Sequence, residues 1–247
     1  MSEFKDKVVV ITGAGNGLGK AHALEFARRG AKVVVNDLGG RGDGTGAGDA
    51  ADQVVAEIKA AGGTAIANKA SVSSKEGAKS IIDDAVKAFG TVHILVNNAG
   101  ILRDKSFKKM SLEDWDIVMD VHLNGSAYVT HAAWPIMYDQ NYGRIVLTSS
   151  TSGVFGNFGQ ANYGAAKMGM LGLMNVLEKV GRSKNVRVNT LAPAAEARLI
   201  GPSPGREVNP DKPDPSRHPK HQTPPHQHNT NHNPPTPTHN HPPNPPH

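Results

Sequence analysis

Apolar positions in the first 200 residues follow two alternating rhythms. Short, mostly β-branched runs at Val8 to Thr12, Ala31 to Val35, Ala65 to Asn68, Val92 to Val96, Arg144 to Thr148 and Val186 to Leu191 read as strands. Most are nearly continuous in apolar character, which marks strands covered on both faces. Between them lie stretches with apolar residues three and four apart: Leu18 to Arg29, Ala50 to Ala61, Lys75 to Phe89, Leu112 to Met137 and Tyr163 to Val180. These read as amphipathic helices. Strands alternating with helices predict an α/β fold built on a doubly wound parallel sheet.

The pattern stops near Ile200. Residues 201–247 hold 15 of the 17 prolines and 8 of the 12 histidines, and Val208 is their only large aliphatic side chain. Such a segment cannot bury enough apolar surface to offset the entropy of ordering it. The expected organisation is a folded domain over 1–200 and a disordered Pro/His/Asn-rich tail over 201–247. The tail histidines are of a type that binds transition metals weakly, but no fixed ligand geometry follows, and no metal site is assigned.

Composition narrows the function classes. The net charge of +5 includes no long basic run, which argues against a nucleic-acid footprint. With no cysteine there are neither disulfides nor thiolate metal sites, in keeping with a reducing compartment. The apolar run after the charged MSEFKDK start is too short for a signal-peptide core or a membrane span, and the terminal PPH is no peroxisomal tripeptide. A cytoplasmic protein is expected, with a peroxisomal one as the alternative.

The first strand runs into Thr12-Gly13-Ala14-Gly15-Asn16-Gly17-Leu18-Gly19. Glycines between a strand and a helix let the backbone approach a pyrophosphate, and the helix N-terminus offers N–H groups and its positive dipole end to the anion. This makes the sheet Rossmann-type, although a simple turn also uses glycines. Asp37 ends the second strand region, 18 residues after Gly19. A carboxylate there accepts both adenosine ribose hydroxyls and repels a 2′-phosphate, so NAD is the expected cofactor. A turn before Gly39-Gly40 is the plainer account of the same residue.

Tyr163 and Lys167 are four apart on a predicted helix and so share a face. A tyrosine of ordinary pKa near ~10 is a poor base at neutral pH, and a neighbouring ammonium lowers that pKa. The phenol then exchanges a proton with an alcohol or ketone as hydride moves. Ser150 lies 13 residues before Tyr163, where its hydroxyl can hold the substrate oxygen.

In this order and spacing the glycine loop, Asn97-Asn98-Ala99-Gly100, Ser150 and the Tyr163/Lys167 pair resemble the short-chain dehydrogenase/reductase family. The resemblance implies that Asn98, Ala99 and Gly100 floor the nicotinamide ribose site and that Lys167 reaches that ribose. By chemistry alone the same amides serve equally as turn formers. Asn16 stands where NADP-preferring relatives often carry a basic residue. Ser71 and Val72 replace an adenine-binding Asp and leave backbone groups to serve. His122 takes the place of an Asn that completes a proton relay; a packed helix histidine is the alternative. The family's dimers and tetramers form through the fourth and fifth helices, so a homo-oligomer is implied.

Asn36-Asp37-Leu38-Gly39-Gly40 with its Gly/Asp-rich insertion to Asp49, Ile101 to Asp104, Asp120 to Leu123 and Gly156 to Tyr163 are similar to one branch. That branch is the (3R)-hydroxyacyl-CoA dehydrogenase unit of the type 2 multifunctional β-oxidation enzymes, with its single-domain bacterial relatives. It implies an acyl-CoA thioester substrate. The resemblance ends near residue 200. Pro193 matches a cofactor-proximal proline, but Ile200 stands near an expected Thr, and the tail takes the place of a lid and seventh strand. A C-terminally truncated or frame-shifted domain is the expectation. Beside the active dehydrogenase stand two other readings: an impaired NAD-binding homologue, and a tail-mediated metal-binding module.

Overall fold

The computed structural model describes residues 3–193. The tail at 201–247, and the region of the expected lid and seventh strand, lie outside the described residues. Six strands form one parallel sheet: β1 (Val8–Thr12), β2 (Lys32–Asn36), β3 (Thr64–Asn68), β4 (Ile94–Asn97), β5 (Gly143–Thr148) and β6 (Val186–Leu191). Their spatial order is β3-β2-β1-β4-β5-β6, so the Rossmann-like doubly wound sheet stands. The register pairs Val10 with Val34 on one side and with Leu95 on the other.

Alternation along the strands divides the core. Val9, Ile11, Val33 and Val35 face α1 (Gly17–Arg28) and α2 (Ala50–Ala60). Val8, Val10, Leu95, Ile145 and Leu147 face α3 (Lys75–Phe89), α5 (Gly125–Asp139) and α7 (Ala161–Gly181). Two short helices complete the described set, α4 (Leu112–Met119) and α6 (Thr151–Phe155). Local signals set several ends. Ser74 caps α3 by accepting the Gly77 N–H at 3.0 Å, and Gly90 closes that helix with φ of 85°. Among the described residues no helix is long and apolar enough to cross a membrane.

The helix predicted over Leu112 to Met137 is present as one uninterrupted helical run from Leu112 to Asp139. A π turn at Asp120–Asn124 joins its two α-helical parts, α4 and α5, without interrupting the helix. Such turns widen the helix by one residue and loosen its ladder. Ser126 Oγ donates to the His122 carbonyl at 2.6 Å within this stretch. The short helix α6 has five residues, TSGVF, too few to show a helical period in the sequence.

Leu95 is fully buried in β4, at the centre of the sheet. Leu95→Ala is expected to cost about 2–5 kcal/mol through lost transfer energy and the cavity left behind. Val86→Ala, on the exposed side of α3, should stay within about 0.5 kcal/mol. Urea unfolding of the two variants checks the contrast; equal losses would contradict this placement of the core.

Candidate active site

The strand order reverses between β1 and β4, and the crevice at such a switch lies outside the strands' carboxyl ends. The Gly13–Gly19 loop lies there. Gly13 has φ of 64°, and a Cβ on it would stand 2.7 Å from the Ala99 Cα. No other residue fits that conformation and that approach. Asn16 is the N-cap of α1, but its side chain makes no capping bond. The first-turn N–H groups of α1, on Gly17, half-buried Leu18 and Gly19, are therefore not covered by it.

Asp37 lies just past β2 with both carboxylate oxygens engaged. Gly15 N donates to Oδ2 at 2.7 Å and Gly39 N donates to Oδ1 at 2.7 Å. A carboxylate offers about four acceptor positions, so capacity for ribose hydroxyls remains. Asn98 turns inward: its Nδ2 donates to the carbonyls of Thr12 at 3.1 Å and Gly13 at 3.0 Å. Its side chain thus braces the glycine loop. Thr12 Oγ1 accepts the N–H groups of Asn98 and Ala99 at 3.0 and 3.1 Å. Ser71 Oγ bonds to Ser73, and the Val72 side chain is buried in the core. Pro193 is half-buried, two residues beyond β6. A glycine-lined approach, uncapped helix N–H groups and a carboxylate at the next strand's end form a donor and acceptor set that fits a dinucleotide.

The second half of the site is built on β5 and α7. Ser149 Oγ donates to the Lys167 carbonyl at 2.9 Å, fastening the strand end to the helix. Ser150 accepts the Ser152 N–H at 3.2 Å as the cap of α6, and its hydroxyl favours the ionised form of the Tyr163 phenol. Lys167 is 3% exposed; its Nζ donates to the Thr148 carbonyl and stands 5.4 Å from the centre of the Tyr163 ring. His122 is 1% exposed and meets the Tyr163 ring edge-on, with centroids 5.1 Å apart. Its Nε2 lies 3.0 Å from the Ile101 N and 2.8 Å from the Ile101 carbonyl oxygen, the tautomer deciding which bond forms. Gly100 lies against the same imidazole, where a Cβ would collide with it.

Desolvation dominates the electrostatics. Burial pushes the Tyr163 phenol above its ordinary value; the Ser150 hydroxyl opposes this, and the Asp104 charge adds to it. Burial pulls Lys167 down to about 7. His122 is held well below the usual histidine range, first by burial and then by the Lys167 charge. The ammonium invoked from the i, i+4 spacing is thus weakened by the burial that brings it to the tyrosine.

Several contributors went unread in the sequence. Asn162, fully buried, accepts the Tyr163 N–H at 2.7 Å and donates to the Asp114 carbonyl at 2.9 Å. Gln160 Nε2 donates to Asp104 Oδ2 at 2.8 Å. Both residues stand in the run just before Tyr163, so nearness to it was the available signal. Asn36 Nδ2 reaches Asn68 Oδ1 and the Ala70 carbonyl, each at 2.9 Å, and ties the ends of β2 and β3.

This fold and crevice define a dinucleotide-binding oxidoreductase domain. The chain belongs to the short chain dehydrogenase family, whose model matches residues 7–197. It is 58% identical over 197 residues to the peroxisomal multifunctional enzyme A of Dictyostelium discoideum, covering 79% of this chain and 44% of that protein. It is 57% identical over 197 residues to the peroxisomal hydratase-dehydrogenase-epimerase of Saccharomyces cerevisiae, covering 79% of this chain and 22% of that one. A crystal structure of a short chain dehydrogenase from Mycobacterium avium matches with a TM-score of 0.74 at 43% identity, over 79% of this chain and 70% of that one. The chain spans less than half the length of the two multifunctional relatives. The family consists of oxidoreductases that act on CH–OH groups of small molecules with a nicotinamide cofactor.

The lowered Lys167 pKa bears on stability. Between about pH 7 and the unfolded value of about 10.4 the unfolded chain holds the additional proton, so this group's contribution to stability rises with pH across that window. Below it the full penalty of the buried charge applies. Lys167→Met is therefore expected to stabilise the protein by on the order of 2 kcal/mol near about pH 6, with the gain fading by about pH 10. Denaturant titrations at several pH values check this, and a gain that grows with pH would contradict it.

Proposed function

We propose that this chain is an NAD-dependent dehydrogenase that oxidises a (3R)-hydroxyacyl-CoA to the 3-ketoacyl-CoA. The observation that carries the reading is the convergence of Ser150, Tyr163 and Lys167 at the carboxyl end of β5, with Asp37 at the carboxyl end of β2. The similarity to a hydratase-dehydrogenase-epimerase supports a hydroxylated substrate formed by hydration. The branch resemblance supports the acyl-CoA class.

The nicotinamide, when bound, supplies the hydride acceptor. Gly13, Asn16, Gly17, Leu18 and Gly19 would hold the pyrophosphate and its flanks, and Asp37 the adenosine ribose. Backbone groups of Ser71 and Val72 would meet the adenine. Asn98, Ala99, Gly100, Lys167 and Pro193 would border the nicotinamide side. Ser150 holds the substrate oxygen, and Tyr163 takes the hydroxyl proton as the C3 hydride departs, or returns it in reverse. Lys167 favours the phenolate in its charged form, and His122, at the place of the family's relay Asn, packs edge-on behind Tyr163. Asp37 favours NAD over NADP by repelling a 2′-phosphate.

The same reading includes a domain over 1–200, a cytoplasmic setting and a homodimer or homotetramer joined through α5 and α7. Met168, Val176 and Val180 expose apolar surface along the outer face of α7, in keeping with such an interface. A second reading, NAD binding without turnover, is favoured by the raised phenol and the lowered amine, which both disfavour the charged pair.

Reduced-nicotinamide absorbance with a panel of 3-hydroxyacyl-CoA thioesters, beside calorimetry with NAD, separates the two. Turnover supports the first; binding without turnover on any alcohol supports the second. Tyr163→Phe is expected to lower kcat by about 10²–10⁴ while NAD binding holds, because only the titrating oxygen is lost. Asp37→Ala should erode the preference for NAD over NADP, and unchanged discrimination would remove it from the ribose site.

A further inference from the structure

The insertion from Leu38 to Asp49 is closed on itself. Thr45 O accepts the Arg41 N–H at 2.7 Å, Asp43 Oδ1 accepts from Thr45 N and Oγ1 at 3.0 and 2.7 Å, and Leu38 O accepts the Gly48 N–H at 3.2 Å. So closed, it docks on the segment that follows Gly100. Gly42 O accepts the Leu102 N–H at 3.0 Å, and Asp43 O accepts from Arg103 Nε at 2.6 Å. Gly44, at φ of 86°, lies against Ile101, and a Cβ there would be 3.2 Å from Ile101 Cδ1. The other side of the same segment meets the catalytic half: Ile101 holds His122 Nε2, and Asp104 holds Gln160.

We propose that the Leu38–Asp49 loop positions the catalytic tyrosine through Ile101–Arg103, with His122 as the positioning residue that links that segment to the Tyr163 ring. The proposal rests on the reading of Tyr163 as the proton-transferring group. His122 suits a positioning task. Its Nε2 is clamped to the Ile101 backbone, its Nδ1 has no partner among the described residues, and its ring packs edge-on against the phenol. A proton relay needs an outlet at each nitrogen, and here one nitrogen meets only the Ile101 backbone. Burial keeps the ring neutral, so it acts by its place and not by its charge. The loop also starts at Asp37, which is tied to Gly15 and Gly39, so one segment spans from the adenosine end to the catalytic end.

The groups that bear on the Tyr163 titration are Lys167 on α7, Asp104 on the docked segment, Ser150 on β5–α6 and the neutral His122. If the docked segment loosens, water reaches the phenol and its raised pKa falls toward the ordinary value. The test uses Arg103→Met, which removes the bond to the Asp43 carbonyl together with the 3.4 Å contact to Asp114, and Gly44→Val, which acts from the loop side alone by forcing bulk against Ile101. Phenolate absorbance, taken as the difference between each variant and its Tyr163→Phe counterpart, should show Tyr163 titrating at lower pH than in the parent. The parent's kcat should fall about 10- to 100-fold in these variants, with the Kd for NAD changed by less than roughly twofold. His122→Phe, which keeps a ring beside Tyr163 but loses the clamp, should give the same shift. Combined with Arg103→Met it should add little, because both break one connection.

An unmoved Tyr163 titration in Arg103→Met and Gly44→Val overturns the proposal. So do losses that multiply in the double variant, or a weakening of NAD binding that matches the loss in kcat. Should the parent turn over no hydroxyacyl-CoA, the proposed function fails, while the phenol titration, which needs no substrate, still decides the positioning role.

Discussion

The seam between β1 and β4 is the constraint on which both halves of the site depend. Thr12 Oγ1 accepts two N–H groups from the start of the Asn98 segment, and Asn98 Nδ2 returns two bonds to the Thr12 and Gly13 carbonyls. Four bonds thus lock two loops that begin 86 residues apart, at Thr12 and Asn98. Bonds of this kind are each worth only about 1 kcal/mol net, but leaving such buried groups unpaired costs more. Because Gly13 lies against the Ala99 backbone, the lock also fixes how far the glycine loop can lean over the crevice. The chain leaving the lock is Gly100-Ile101, which meets His122 and so reaches Tyr163. The proposed cofactor end and proton-transfer end are consequently parts of one bonded frame.

That frame explains the division of labour among the asparagines and glycines. An amide at position 98 could face a ligand or face the loop, and here its donors face the loop. Asp37 likewise divides its capacity: each oxygen accepts one backbone N–H, which orients the carboxylate before any ribose arrives. Preorganised acceptors of this sort avoid reorganisation when a ligand binds.

Much of the fold was legible in the sequence because the information was local. Val8–Thr12 and Lys32–Asn36 are β-branched runs with turn chemistry at their ends, and Lys75–Phe89 carries a serine cap and a closing glycine. The Tyr163–Lys167 pair was legible for the same reason, since i and i+4 share a helix face whatever surrounds them. The π turn at Asp120–Asn124 was not legible, because it keeps the chain helical on both sides and no local residue signal marks the one extra residue. Nor could spacing show that Ser149, Asn162 and Gln160 fasten the catalytic helix, since each bond crosses between elements distant in sequence or turns on a loop. The insertion after Asp37 read as a Gly/Asp-rich segment shared with one branch of the family. Its docking on Leu102 and Arg103 depends on contacts more than fifty residues away, which no local pattern encodes.

Burial is also what sets the chemical bias of the site. A phenol and an amine placed together in water favour proton transfer to the amine only weakly, and a low-dielectric setting penalises both charged forms. With the phenol raised and Lys167 near neutrality, the state this frame favours carries the proton on Tyr163. That is the form which donates to a ketone oxygen. Oxidation of an alcohol requires the opposite form, and the groups that oppose the bias are few: the Ser150 hydroxyl, and the Lys167 charge when present. Asp104, which follows the segment that the insertion grips, pushes the other way and is held by Gln160 at the start of α7. The proton balance of the tyrosine is thus set jointly by α7 and by a loop that belongs to the cofactor end. A change in that loop should therefore be felt first in the pH dependence of the site, before any loss of its fold.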